Sequence, residues 1–277
     1  MRLGAPLPDQ HLTPESWAAQ LRSLGYRAAF CPLSPGADDA DIRAFEEAAR
    51  AADIVIAEVG AWSNPLSPDE GTRTAAIGKC IASLELAERI GARCCVNIAG
   101  SRGEKWDGPC AEDLTGDTFE LIVDTVRRIV DEVKPRRSWY TLETMPWMYP
   151  DSADSYLELL DAIDRSSVGV HFDPVNIINC PERYFRNAGL VTDFVARLGP
   201  RIRSCHAKDI RLQDRLTVHL DETRPGLGGL DYRALLRALA ALEPGLPLML
   251  EHLPSQADYA EAAAYVRRIA AEERVGL

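Results

Sequence analysis

The chain has 277 residues, 46% of them hydrophobic and 26% charged, with a formal net charge of −11. That length is large for one ordinary domain and usual for one closed (β/α)8 barrel, and the apolar fraction supports a sizeable core. The acidic balance argues against a surface that holds nucleic-acid phosphates or anionic lipid, so neither nucleic acid nor membrane is an expected partner.

In chain order, eight short, near-continuously apolar runs read as strands: 2–7, 28–33, 54–62, 93–99, 139–145, 168–173, 202–208 and 247–253. Runs of this kind suit parallel strands covered on both faces. Amphipathic segments alternate with them. Thr13 followed by Pro14 marks the start of a first helix. Apolar residues spaced three or four apart predict helices over 38–52, 69–90, 119–133, 155–163, 193–198, 231–242 and 257–271. Strand then helix, repeated eight times, is the pattern of a closed parallel barrel, with an open doubly wound sheet as the alternative. No Pro/Gly/Ser-rich linker divides the chain, so residues 1–277 read as a single α/β barrel domain.

Three connections are long: 101–116, 176–188 and 210–230. Each follows a strand and is expected on the carboxyl-terminal face, where barrel enzymes keep their chemistry. The seven cysteines show no C-x-x-C spacing, and several lie in apolar runs as small core residues. No signal-peptide or membrane-spanning run is visible, so a reduced cytoplasmic protein is expected.

Four ionisable residues stand at the ends of four successive strands: Glu143, Asp173, His206 and Glu251. An unpaired carboxylate at the end of an apolar strand is costly to desolvate, and within these strand ends only Lys208 offers a cation. Neighbouring strand ends of a barrel converge on one bowl. Three carboxylates and one imidazole there suit a hard or borderline divalent cation, Mn²⁺ or Mg²⁺ ahead of Zn²⁺. Lys208 is two residues beyond His206 and faces the same side, as a contact to substrate or as a structural ion pair.

The segments LETMPW, HFDPVN, CHAKDI and LEHL, in this order across the chain, resemble the metal-binding strand ends of the xylose-isomerase-like barrels. More narrowly, they are similar to the sugar phosphate isomerase/epimerase family. The resemblance implies one divalent metal, Mn²⁺ first with Mg²⁺, Co²⁺ or Zn²⁺ as alternatives, held by Glu143, Asp173, His206 and Glu251. It further implies a carbohydrate substrate, a metal-stabilised enediolate, and Glu143 with Glu251 as the acid/base pair of an epimerase or isomerase. Ketose 3-epimerases of the family carry a second histidine three positions after the aspartate, where this chain has Asn176, an amide that binds hydroxyls but shuttles no proton. The alternative is therefore a lyase that abstracts the same proton and then eliminates, inosose dehydratase-like or C-glycoside deglycosidase-like. The deglycosidase type would add a small second subunit, and family members commonly form homo-oligomers. An endonuclease IV-like nuclease is a third reading, opposed by only five histidines and the acidic charge. A sugar-binding scaffold is a fourth, opposed by retention of both glutamates.

Softer candidates for substrate contact are Glu58 and Trp62 after the third strand, Arg224 in the Gly-rich seventh loop, and His11 in the first loop. His171 reads as a satisfied core histidine. His252 is expected to point away from Glu251 by strand alternation.

Overall fold

The computed structural model describes residues 1–9 and 12–277. Eight parallel strands close into a barrel: β1 (Arg2–Gly4), β2 (Ala28–Phe30), β3 (Val55–Gly60), β4 (Cys94–Asn97), β5 (Trp139–Glu143), β6 (Val168–Phe172), β7 (Ile202–Ala207) and β10 (Pro247–Leu250). All eight expected strands are present, each ending before the apolar run does. An antiparallel hairpin, β8 (Asp209–Leu212) with β9 (Leu220–Thr223), occupies much of the long connection after β7.

Between the strands run α1 (Pro14–Ser23), α2 (Asp39–Ala51), α3 (Glu70–Ile90), α4 (Gly116–Val133), α5 (Ala153–Ile163), α7 (Asn187–Leu198), α8 (Tyr232–Ala240) and α9 (Gln256–Glu272). A short α6 (Pro181–Phe185) precedes α7, within the connection that the sequence leaves irregular. Most of these helices begin at a Thr, Asp or Ser whose side chain accepts an amide of the first turn, among them Thr13, Asp38, Asp69, Thr115 and Ser152. Such caps satisfy donors that the first turn leaves free, and they end each connection at a defined residue. Among the described residues, no helix is long and apolar enough to cross a membrane.

The main core lies between barrel and helices, built from outward strand residues such as Tyr140, Val170, Cys205 and Leu248. A small second cluster, Ala28, Ala57 and Met249, is packed separately from it. Gly4 permits that tight packing, since a Cβ there would fall 2.6 Å from Met249 Sδ and 2.5 Å from the Ala28 carbonyl. Two register shifts matter for function. Ala29 pairs with Ile56 but Phe30 pairs with Glu58, so Ala57 is an extra residue on β3. Between β6 and β7, Val170 pairs with Ile202 and His171 with Ser204. Shifts of this kind re-aim the side chains that follow.

The carboxyl ends of β5 and β6 are held by two devices. Tyr156 of α5 inserts its hydroxyl between them, donating to the Leu142 carbonyl (2.5 Å) and accepting from the Leu142 and His171 amides. Thr144 Oγ1 donates to the Asp173 carbonyl (2.9 Å) and accepts from the Asp173 amide (3.1 Å).

Candidate metal centre

Glu143, Asp173, His206 and Glu251 come together as the sequence predicts. Each offers one donor atom, and the four atoms lie within 4.8 Å of one another. His206 Nδ1 is 2.8 Å from Glu251 Oε1, 3.1 Å from Glu143 Oε1 and 3.7 Å from Asp173 Oδ2. Lys208 Nζ enters the same bowl, 2.5 Å from Glu251, 2.8 Å from Asp173, 3.7 Å from Glu143 and 3.6 Å from Glu222 of β9. Both sequence readings of Lys208 meet here: it is an ion-pair partner, and it lies among the candidate ligands.

The other face of His206 is also engaged. Its Nε2 is 3.3 Å from Glu58 Oε1, while Glu58 Oε2 is 2.7 Å from His171 Nε2. Glu58 is 1% exposed. It borders the cleft, and each of its oxygens meets one histidine, so it backs the site from beneath. His171 is the buried core histidine expected, with Glu58 as its partner. A carboxylate on Nε2 holds the proton there, so that a cation bound among the three carboxylates would displace the Nδ1 proton and meet the Nδ1 lone pair. That is the outer-shell arrangement that orients ligating histidines.

Burial disfavours charge on all of these groups, and their neighbours decide the outcome. Burial lifts Glu143 above the usual carboxylate range despite His206 and Lys208. Burial would raise Glu251 too, but His206 and Lys208 hold it at about 2. Asp173 is held well below the usual range against burial by Lys208 and His206. His206 and Lys208 are raised well above their ordinary values, overcoming burial through the surrounding carboxylates.

The residues fit a divalent cation. Asp173 Oδ2 and Glu251 Oε1 are buried and accept no hydrogen bond, although Lys208 Nζ is close: the contacts are ionic and poorly aligned. Glu143, Asp173, Glu222 and Glu251 surround the Lys208 ammonium and Glu58 backs His206; even with His206 protonated, five carboxylates stand against two cations, and a divalent ion would offset that excess. The donor set of three oxygens and one nitrogen matches Mn²⁺ or Mg²⁺ chemistry.

Of the remaining candidates, Asn176 donates from Nδ2 to Glu143 Oε1 (3.2 Å), and its amide donates to Asp173 Oδ1. Trp62 stands at the mouth, 36% exposed. Arg224 is turned to α9, where it pairs with Glu261 (2.8 Å) and approaches Asp258. His11 lies outside the described residues.

Two neighbours escape the sequence reading. His252 takes a left-handed backbone (φ 57°) just after β10, so alternation no longer applies and the ring swings back. Its Nδ1 is 3.3 Å from Glu222, and its Nε2 is 3.7 Å from Glu251. Glu222 is carried in by the hairpin. Asp209 anchors the segment beyond it, accepting amides from Ile210, Gly226, Gly228 and Leu230.

Two cavities open beside the centre. One of about 800 Å³ is bordered by Glu251, His252, Leu7, Phe30 and Tyr259. The other, of about 340 Å³, runs from Glu58 to Trp62. Both are of a size that takes small-molecule ligands.

No curated protein matches the chain. Among solved structures, L-ribulose 3-epimerase superposes with a TM-score of 0.72 at 14% identity, covering 99% of this chain and 95% of that one. The probable 3-DHS dehydratase AsbF of Bacillus anthracis, involved in petrobactin synthesis, gives 0.70 at 16%, covering 98% and 99%. A xylose isomerase-like TIM barrel protein from Mycobacterium smegmatis, in complex with magnesium, gives 0.68 at 17%, covering 98% and 96%. At these identities the likeness is one of fold. The sequence itself matches a family over residues 18–269, and the chain belongs to the Xylose isomerase-like TIM barrel family.

Proposed function

We propose that the protein is a divalent-metal-dependent enzyme that epimerises or isomerises a keto-sugar or polyol derivative by moving a proton next to a carbonyl. The observation that carries this reading is the convergence of four donor atoms within 4.8 Å, from four strand ends, beside an open cleft. Bound there by Glu143, Asp173, His206 and Glu251, the cation would polarise the substrate carbonyl and offset the charge of an enediolate.

The chain's own residues divide the proton work. Glu251 and Glu143, on strand ends that face each other across the bowl, form the acid/base pair, one taking the proton at the carbon next to the carbonyl. The other returns a proton to the opposite face, and burial favours the protonated form of Glu143. Lys208 steadies the carboxylates on one side of the bowl, and Asn176 donates to Glu143. The structural neighbours named as an epimerase and a magnesium complex are in keeping with this reading.

Asn176 keeps a lyase in view. An amide in contact with Glu143 orients that carboxyl but relays no proton, and a dehydratase shares the fold. Incubating Mn²⁺-loaded protein in D₂O with ketoses, inososes and 3-keto-glycosides, followed by NMR, separates the two. Deuterium next to the carbonyl with an intact skeleton supports epimerase or isomerase chemistry. Release of water or an aglycone supports the lyase. The absence of both exchange and release, with metal bound, refutes both.

A further inference from the structure

The smaller cavity lies over the ends of β2, β3 and β4, on the far side of the bowl from Asp173. Phe30, Leu33 and Pro35 form its apolar walls, and Trp62 and Lys79 stand at its rim. Its volume of about 340 Å³ is at the lower end for a ligand pocket.

Trp62 is held in place before anything binds. Its indole lies back on the strand end: a Cβ on Gly60 would fall 2.5 Å from Trp62 Nε1, so only glycine leaves room for the ring. Next door, Ser63 is clasped by Asn97, its amide donating to Asn97 Oδ1 and its carbonyl accepting from Asn97 Nδ2, both at 3.2 Å. Lys79 Nζ of α3 donates to the Trp62 carbonyl (3.0 Å). A pinned, part-exposed indole is a stacking platform whose ordering cost is already met by the fold.

The lining is poorly suited to a second sugar ring. Each hydroxyl of a sugar needs a partner, and an unpaired buried one is costly. Glu58 is engaged by two histidines, and Cys31 Sγ faces the Leu33 carbonyl (3.5 Å). Among the described lining side chains, that leaves the Ser34 hydroxyl, the Trp62 indole N–H and the Lys79 ammonium, fewer partners than the hydroxyls of a sugar ring need. No carboxylate of the described residues lies within 4.0 Å of Lys79 Nζ, in a chain of net charge −11.

We propose that this cavity is a second subsite for an aryl group attached to the reacting sugar or polyol, stacked on Trp62 with an acidic substituent toward Lys79. The inference rests on the metal centre being the reacting end, but its test needs neither metal nor turnover. The probes are phenol and 4-hydroxybenzoate, with methyl β-glucoside as the non-aromatic control, measured by saturation-transfer NMR titration of metal-free protein. Both aryl probes bind and the control does not compete. Trp62→Ala weakens both about fivefold to tenfold, Trp62→Phe retains most of the binding, and Lys79→Met weakens 4-hydroxybenzoate alone by about threefold. The aryl probes also slow alkylation of Cys31, which borders both cavities. Aryl binding unchanged in a folded Trp62→Ala variant, or no aryl binding at all, overturns the subsite. Equal loss of phenol and 4-hydroxybenzoate in Lys79→Met overturns the acidic substituent. Deuterium exchange without aryl binding refutes only the subsite, and aryl binding without exchange refutes only the enolisation chemistry.

Discussion

Replacing Glu58 by glutamine tests whether the centre depends on a carboxylate that stands behind His206, outside the four converging donors. The Glu58 carboxylate joins two imidazoles, at 2.7 Å to His171 Nε2 and 3.3 Å to His206 Nε2, in a fully buried setting. Glutamine keeps the shape but turns one acceptor oxygen into a donor and removes the charge. If the amide nitrogen faces His206, Nε2 must accept, the proton moves to Nδ1, and the lone pair aimed at Glu143 and Glu251 is lost. If the amide oxygen faces His206, the tautomer survives but the ring is a weaker base. Outer-shell changes of this kind typically cost about 10- to 100-fold in metal affinity, or about 1.4–2.7 kcal/mol. Isothermal titration of Mn²⁺ into metal-free protein reads this directly, and excess Mn²⁺ should recover most of the activity. Glu251→Gln, which removes a ligand charge, should lose more than 100-fold. A folded Glu58→Gln variant that binds Mn²⁺ with wild-type affinity would refute the orienting role.

Three further outcomes follow from the geometry. Lys208→Met leaves Asp173 and Glu251 without their ammonium, so metal-free protein should lose about 3 kcal/mol. Thermal unfolding should show Mn²⁺ restoring more stability to this variant than to wild type. Asp209→Asn removes acceptors for two of the four amides from Ile210, Gly226, Gly228 and Leu230, a loss of about 2–4 kcal/mol. Hydrogen exchange should speed up at Gly226 and Gly228 or at Ile210 and Leu230, according to which oxygen the amide nitrogen replaces, and unchanged protection at all four would contradict the anchoring role. Burial pushes the Cys31 thiol up to about 11, and only the thiolate reacts with iodoacetamide. Peptide-level mass spectrometry should show its alkylation rising about tenfold per pH unit from pH 8 toward 11. A plateau by pH 9 would mean an ordinary thiol.

What could be read from the sequence follows from how far each residue's position depends on its own strand. Glu143, Asp173, His206 and Glu251 each sit at or next to the end of an apolar run, and period-two alternation with barrel closure is enough to bring them together. Glu58 obeys the same rule only through the extra residue at Ala57, a register shift that the sequence does not announce. The sequence shows it as a pocket residue, which it is, but not its contacts to His206 and His171. His252 broke the rule outright. Once β10 ends at Leu250, a left-handed φ turns the next side chains by local geometry, and alternation says nothing about them. The hairpin was hidden for another reason: its strands are four residues each, partly exposed, and joined without an Asn-Gly or Asp-Gly turn. Glu222 could not be placed without it.

Arg224 shows the limit most clearly. The Gly-rich context suggested a ligand contact, yet the residue is settled by Glu261 and Asp258 on α9, more than thirty positions away. For an arginine in an acidic protein, several such partners compete, and only the fold decides among them. The strand-end carboxylates had no such freedom. Lys208 and His206 are the cations set among them, and the carboxylates still outnumber the two; that imbalance is the strongest physical reason to expect a divalent ion there.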